Sequence, residues 1–119
     1  MTFKDLYLKP FLAYFVCYNI DMHKDPIMTN PDKYKIIFEN DKVRVLQYND
    51  NPGDKTTPHE HPDSVMITLS SFDRKLHFND KEVEVHKEAG EASWLPAQTH
   101  VGENTGLTNT SVIFVELKQ

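Results

Sequence analysis

Two histidines flank a single glutamate in "GDKTTPHEHPDS", which runs from Gly53 to Ser64. Imidazole binds divalent metals through either ring nitrogen. In an extended chain residues i and i+2 share a face, so His59 and His61 point together and Glu60 points away. Their Cα atoms are then roughly 6.6–7 Å apart, and two rings leaning inward from there can share one ion at about 2.0–2.1 Å each. Pro58 and Pro62 bias their neighbours toward extended geometry and away from helix. The competing reading is a solvated polar turn, because His-x-His alone is a weak signal. Two ligands do not make a tight site, so a third must come from elsewhere. The natural one is His100, in "LPAQTHVGEN", just after a proline-bearing turn. A set of three histidines leaves coordination positions open to water or substrate, which marks a catalytic or ligand-exchanging site rather than a structural one.

The other polar residues read more plainly. Asp63 starts a strand or accepts a hydrogen bond behind the ligands. Gln98 reaches the rim of the site or fills the turn. Asn104 reads as a turn-stabilising amide. His77 falls on an outer face with Lys75, and His86 falls beside Glu82 and Glu84. Trp94 and the apolar run Val65 to Leu69 belong to the core or a pocket wall. No independent nucleophile or acid–base pair stands out, so a metal would have to carry any chemistry.

The elements that must hold these residues are strands. "KYKIIFEN", Val43 to Tyr48, Ser64 to Leu69, "RKLHF", "EVEVH", "SWLP", "HVGEN" and "SVIFVEL" are short, rich in β-formers and separated by turn clusters such as "NDNPGD". About eight strands with turns every 8–12 residues or so is the pattern of an all-β sandwich or barrel. In Val43 to Tyr48 one face carries Val43, Val45 and Gln47, and the other Arg44, Leu46 and Tyr48.

Size and charge narrow the function. A chain of 119 residues has room for one core. The net charge of −5, with Lys and Arg scattered among the acids, shows no basic face to neutralise phosphates and argues against a nucleic-acid partner. Cys17 is the only cysteine, so no intrachain disulfide forms; it reads as an inert buried thiol, in keeping with a reducing cytoplasm. The run Phe11 to Ile20 is apolar but short of the roughly 20 residues a membrane helix needs. Asp5, Pro10 and the lack of a small-x-small site speak against a signal peptide. Residues 1–28 are therefore expected to form an N-terminal extension before a domain at 29–119. The extension is expected to pack on the domain or on a second copy, giving a homodimer with residues 1–20 near its interface.

Two blocks then carry a resemblance. In the first, Gly53 is followed after five residues by His59-Glu60-His61. In the second, Gly90 is followed after five residues by Pro96, then His100, then after three residues Asn104. Both resemble the two sequence motifs of the cupin superfamily, in the right order, and the likeness spans roughly Lys35 to Leu117. It implies a small double-stranded β-helix, a jelly-roll barrel, with one divalent ion (Fe, Zn, Ni or Mn) on His59, His61 and His100 near one mouth. It departs from the pattern in three places. Val65 and Met66 stand where a glutamate usually supplies a fourth ligand. The glycine that normally closes the first motif is missing near Phe72 and Asp73. Pro96-Ala97-Gln98 lacks the second motif's glycine and brings His100 one residue closer. The carboxylate-free set is similar to that of some cupin dioxygenases working through Fe(II) on small organic substrates. The alternatives are a non-catalytic barrel that binds a metal or small molecule, and a barrel whose histidines hold no metal.

Overall fold

Strands form where β-branched and aromatic residues recur between turn clusters. The computed structural model describes residues 22–119. Its strands are β1 (Tyr34–Glu39), β2 (Val43–Asp50), β3 (His59–His61), β4 (Ser64–Ser70), β5 (Phe72–Phe78), β6 (Lys81–Lys87), β7 (Ala92–Leu95), β8 (Gln98–Asn104) and β9 (Thr110–Leu117). The eight expected from pattern are all present. The additional one is β3, too short to show an alternation but paired residue for residue with β8. Most of the extension expected over residues 1–28, with Cys17 and the apolar run Phe11 to Ile20, lies outside the described residues.

The strands make two antiparallel sheets, in the order β1-β2-β9-β4-β7 and β3-β8-β5-β6. This is the expected all-β jelly roll. The turns follow their residues. Asn79 and Asp80 both have positive φ, 51° and 57°, as a two-residue hairpin between β5 and β6 requires. Gly53 and Gly90, which open the two motif blocks, both have φ of 89°, a left-handed conformation that glycine adopts without strain.

Alternation decides what fills the barrel. On β2 the inward face is Arg44, Leu46, Tyr48 and Asp50; on β9 it is Thr110, Val112, Phe114 and Glu116. Register places these opposite one another as Arg44 with Glu116, Leu46 with Phe114, Tyr48 with Val112 and Asp50 with Thr110. The barrel therefore has an apolar middle closed at each end by buried charge. Tyr34, Leu46, Tyr48, Phe72, Val112 and Phe114 form the apolar cluster.

Each buried charge has a partner, as burial demands. At one end Arg74 Nη1 donates to Asp50 and to Thr110 Oγ1, and Nη2 donates to the Tyr48 hydroxyl at 3.2 Å. Asn104 Nδ2 donates to Asp50 Oδ1 at 3.0 Å and to the Thr108 carbonyl at 2.9 Å. Asn104 is thus a turn amide, as its sequence suggests, and it also braces Asp50. At the other end Arg44 Nε donates to Glu116 Oε1 at 2.8 Å, and both its Nη atoms donate to Asp25 at 3.0 Å. Asp25 also caps the short helix α1 (Pro26–Thr29) by accepting from Ile27 N. One carboxylate thereby starts a helix and ties it to the barrel.

Gly102 on β8 sits under the Arg74 guanidinium; a Cβ there would meet Nη2 at 2.8 Å. Arg74 is pinned by three partners and cannot simply swing away. Gly102→Ala is therefore expected to destabilise the fold by about 1–3 kcal/mol. Urea midpoints of the two proteins check this, and equal midpoints would show that Arg74 moves freely.

Candidate metal centre

The three histidines of the sequence motifs come together. β3 pairs with β8 so that His59 lies directly opposite His100, and His61 stands two residues along on the same face as His59. His59 and His61 are completely buried and His100 is 7% exposed. One ligand atom from each lies within 4.8 Å of the others. The ring centroids are 4.8–5.1 Å apart, with His59 edge-on to both neighbours.

Each ring is oriented by an acceptor on its far side. His59 Nδ1 donates to the Thr57 carbonyl at 2.8 Å. His100 Nδ1 donates to Gln98 Oε1 at 2.6 Å, and Gln98 is itself held by its amide on the Pro96 carbonyl. His61 Nδ1 lies 3.4 Å from Glu116 Oε2, a long hydrogen bond. With Nδ1 carrying the proton on each ring, Nε2 presents a lone pair inward. This is how metal-binding histidines are held elsewhere: an outer acceptor fixes tautomer and orientation.

The residues behind the ligands were only partly visible in sequence. Gln98 reaches the site, which its position left open. Asp63 does not; Oδ1 accepts from Ala97 N at 2.8 Å and holds the turn before β8. Glu60 stays on the outer side. His77 pairs with Glu103, and His86 with Asp73 and Glu88, all away from the cluster. Glu116 and Tyr34 were missed. Glu116 continues the inward stripe Val112-Phe114, and a charge continuing an apolar stripe was the available signal. Tyr34 turns its hydroxyl to 3.1 Å from His59 Nε2 and 3.4 Å from His61 Nε2.

Burial disfavours the charged forms of two of the rings. Desolvation, reinforced by neighbouring imidazoles, pushes His59 down to about 3 and His100 down to about 2. Desolvation raises the Tyr34 phenol well above its ordinary range. Neutral imidazoles with fixed tautomers and converging lone pairs are a donor set that fits a divalent ion. Closing the nitrogens from within 4.8 Å to the spacing of ligands on one ion asks for movement on the order of 1 Å.

A cavity of about 170 Å³ opens beside the cluster. His59, His100, Arg74 and Lys87 reach it from among apolar walls that include Met66, Phe72, Leu76 and Trp94.

Comparison with known proteins places this architecture. No family model and no curated protein matches the sequence. The fold does match solved structures. One is a cupin domain from Bordetella pertussis Tohama I, with a TM-score of 0.68, 22% identity and coverage of 72% of this chain and 92% of that one. An RmlC-like cupin with a double-stranded β-helix from Methanocaldococcus jannaschii gives 0.59 and 11%, covering 71% and 78%. A conserved protein with a double-stranded β-helix domain from Klebsiella pneumoniae gives 0.56 and 20%, covering 72% and 83%. The chain has the cupin fold, as the two motif blocks imply, with a cluster of three histidines that could hold a metal.

The depressed histidines set a pH dependence in the ion-free protein. In the unfolded chain they protonate at about 6.5, in the folded one far lower, so protons bind the unfolded state first. Their contribution is constant above about pH 6.5 and is lost as pH falls below it. The slope approaches about 1.4 kcal/mol per pH unit for each of the two. Urea midpoints near pH 7.5, 6 and 5 should fall in that order, and a flat series would contradict the buried neutral site.

Proposed function

We propose that His59, His61 and His100 hold one divalent metal ion, and that the barrel is a mononuclear metalloenzyme of dioxygenase type acting on a small organic molecule. The observation that carries this is the cluster itself: three buried imidazoles, each with Nδ1 engaged outward, converge beside a cavity. When bound, an ion held by the three imidazoles would supply Lewis acidity toward a substrate oxygen and, as Fe(II), reactivity toward O2.

The chain's own residues do the rest. Thr57, Gln98 and Glu116 hold the rings in register. The apolar walls exclude water and take the body of the substrate. Arg74 and Lys87 line the cavity and, among the described residues, no carboxylate does. That favours a substrate with an anionic or readily ionised oxygen. Arg74 lies over Gly102, two residues from His100 on the same face of β8, so its guanidinium is roughly 7 Å along the strand from the metal ligand. A compact carboxylate, enol or phenol spans that gap, its oxygen toward the histidines and its charge toward Arg74.

The lone Cys17 supports a cytoplasmic setting. No helix among the described residues is long and apolar enough to cross a membrane. Assembly as a homodimer is part of the same reading. Among the described residues β1 is a sheet edge, and Ile36, Ile37 and Phe38 on it are 43%, 45% and 54% exposed. Light scattering is expected to give a dimer that Phe38→Lys converts to monomer; a monomeric wild type would refute it.

Elemental analysis of protein purified without chelators should find metal near one per chain. Glu116→Gln should weaken binding by roughly 10- to 100-fold, because His61 loses its carboxylate partner. After anaerobic loading with Fe(II), O2 uptake should appear with some member of a panel of diketones, thiols and phenols. Metal without turnover would leave the non-catalytic binding barrel. Metal below about 0.1 per chain would sink both.

A further inference from the structure

The resemblance places Val65 and Met66 where an oxygen ligand is expected, yet an oxygen does stand at the cluster. It comes from β1. The Tyr34 hydroxyl lies 3.1 Å from His59 Nε2 and 3.4 Å from His61 Nε2. These separations suit hydrogen bonds, but they are also those of neighbouring ligands on one ion. Atoms each about 2.1 Å from a shared centre are about 3.0 Å apart at right angles and about 3.4 Å apart at tetrahedral angles. A hydroxyl within hydrogen-bond reach of both nitrogens lies toward their lone pairs, so an ion seated on those lone pairs comes close to this oxygen. It must either bind the oxygen or displace it.

Displacement is opposed by packing. Tyr34 is 5% exposed. Its ring sits 4.7 Å from Tyr48, 6.1 Å from Phe114 and 5.6–5.9 Å from the rings of His59 and His61, centroid to centroid. Its backbone is fixed on both sides, by pairing with Tyr48 on β2 and by a 3.1 Å bond from its N–H to the Asn30 carbonyl. The oxygen is built into the site as firmly as the imidazoles are.

We propose that Tyr34 is the fourth protein ligand of the ion held by His59, His61 and His100, supplied as a phenolate from β1 where the motif glutamate is missing. The inference rests on the metal reading above. On binding, the O–H bond breaks, its proton passes to solvent, and a metal–oxygen bond forms. The site then offers three neutral nitrogens and one anionic oxygen, which cancels one unit of the ion's charge. It favours harder, more highly charged ions than three histidines alone.

Cupric ion titrated into the full-length protein tests this without reference to turnover. A visible phenolate-to-metal absorption band should grow to one ion per chain, with tyrosinate ring modes enhanced in the resonance Raman spectrum of the wild type. Tyr34→Phe keeps the packed ring; it should lose the band and bind at least roughly tenfold more weakly. Stoichiometric cupric binding by the wild type with no such band would overturn the proposal while leaving the metal reading in place. A band persisting in Tyr34→Phe would overturn it too. If cupric ion does not bind the wild type at all, the metal reading falls and this inference falls with it.

Discussion

The contact on which the rest depends is the buried pair between Arg44 and Glu116. Both are essentially inaccessible, and they face each other across the β2–β9 register. Removing one partner of such a pair leaves an uncompensated charge and costs about 3–5 kcal/mol. Arg44 has five N–H donors and one pair does not use them. It also takes Asp25, which caps α1. Glu116 has a second oxygen, and that oxygen faces His61. One chain of contacts thus runs from the segment before the barrel, through two central strands, to a candidate metal ligand. Stability and site geometry are therefore coupled, because the carboxylate that neutralises Arg44 also orients an imidazole.

The opposite end of the barrel solves the same problem differently. Arg74, Asp50, Tyr48, Thr110 and Asn104 satisfy one another without touching the histidines. Arg74 nonetheless faces the cavity, stacked 5.1 Å from the Tyr48 ring centroid. A buried cation already paired with Asp50 is stable with the cavity empty of anions, and its remaining donors stay positioned. The two ends therefore divide the work. One orients the three-histidine cluster, and the other presents positive charge to the cavity.

How much of this was legible in sequence follows from the range of the forces involved. Strands and turns are local, so "SVIFVEL" and "NDNPGD" announced themselves. His59, His61 and His100 were legible because alternation puts i and i+2 on one face and because spacing within each block is short-range. Their meeting was not local, and only the resemblance of the two blocks joined them. Glu116, Arg44 and Tyr34 lie in strands far apart in sequence, and nothing in a strand's own pattern says which distant strand it faces. Arg44 shares a face with Leu46 and Tyr48, and Glu116 shares one with Val112 and Phe114. That sharing is a sign of burial the sequence reading did not use, since a charge on an apolar stripe must find a partner. Gln98 was undecided for the same reason: its role depends on where its neighbour's ring turns.

Hydrogen-bond accounting sharpens the case for an ion. His59 and His61 each spend their Nδ1 proton outward, so each Nε2 is left as an acceptor on a buried ring. Tyr34 has a single hydroxyl proton for the two of them. It can donate to only one of the two at a time. Leaving a buried acceptor unmet costs about 1–3 kcal/mol. Protonating a ring instead is opposed by the burial that drives His59 and His100 so far down. A cation at the centre relieves all of these at once, because it needs lone pairs and brings no proton requirement. An arrangement over-supplied with acceptors as a hydrogen-bond network is thus a donor set that could hold a metal.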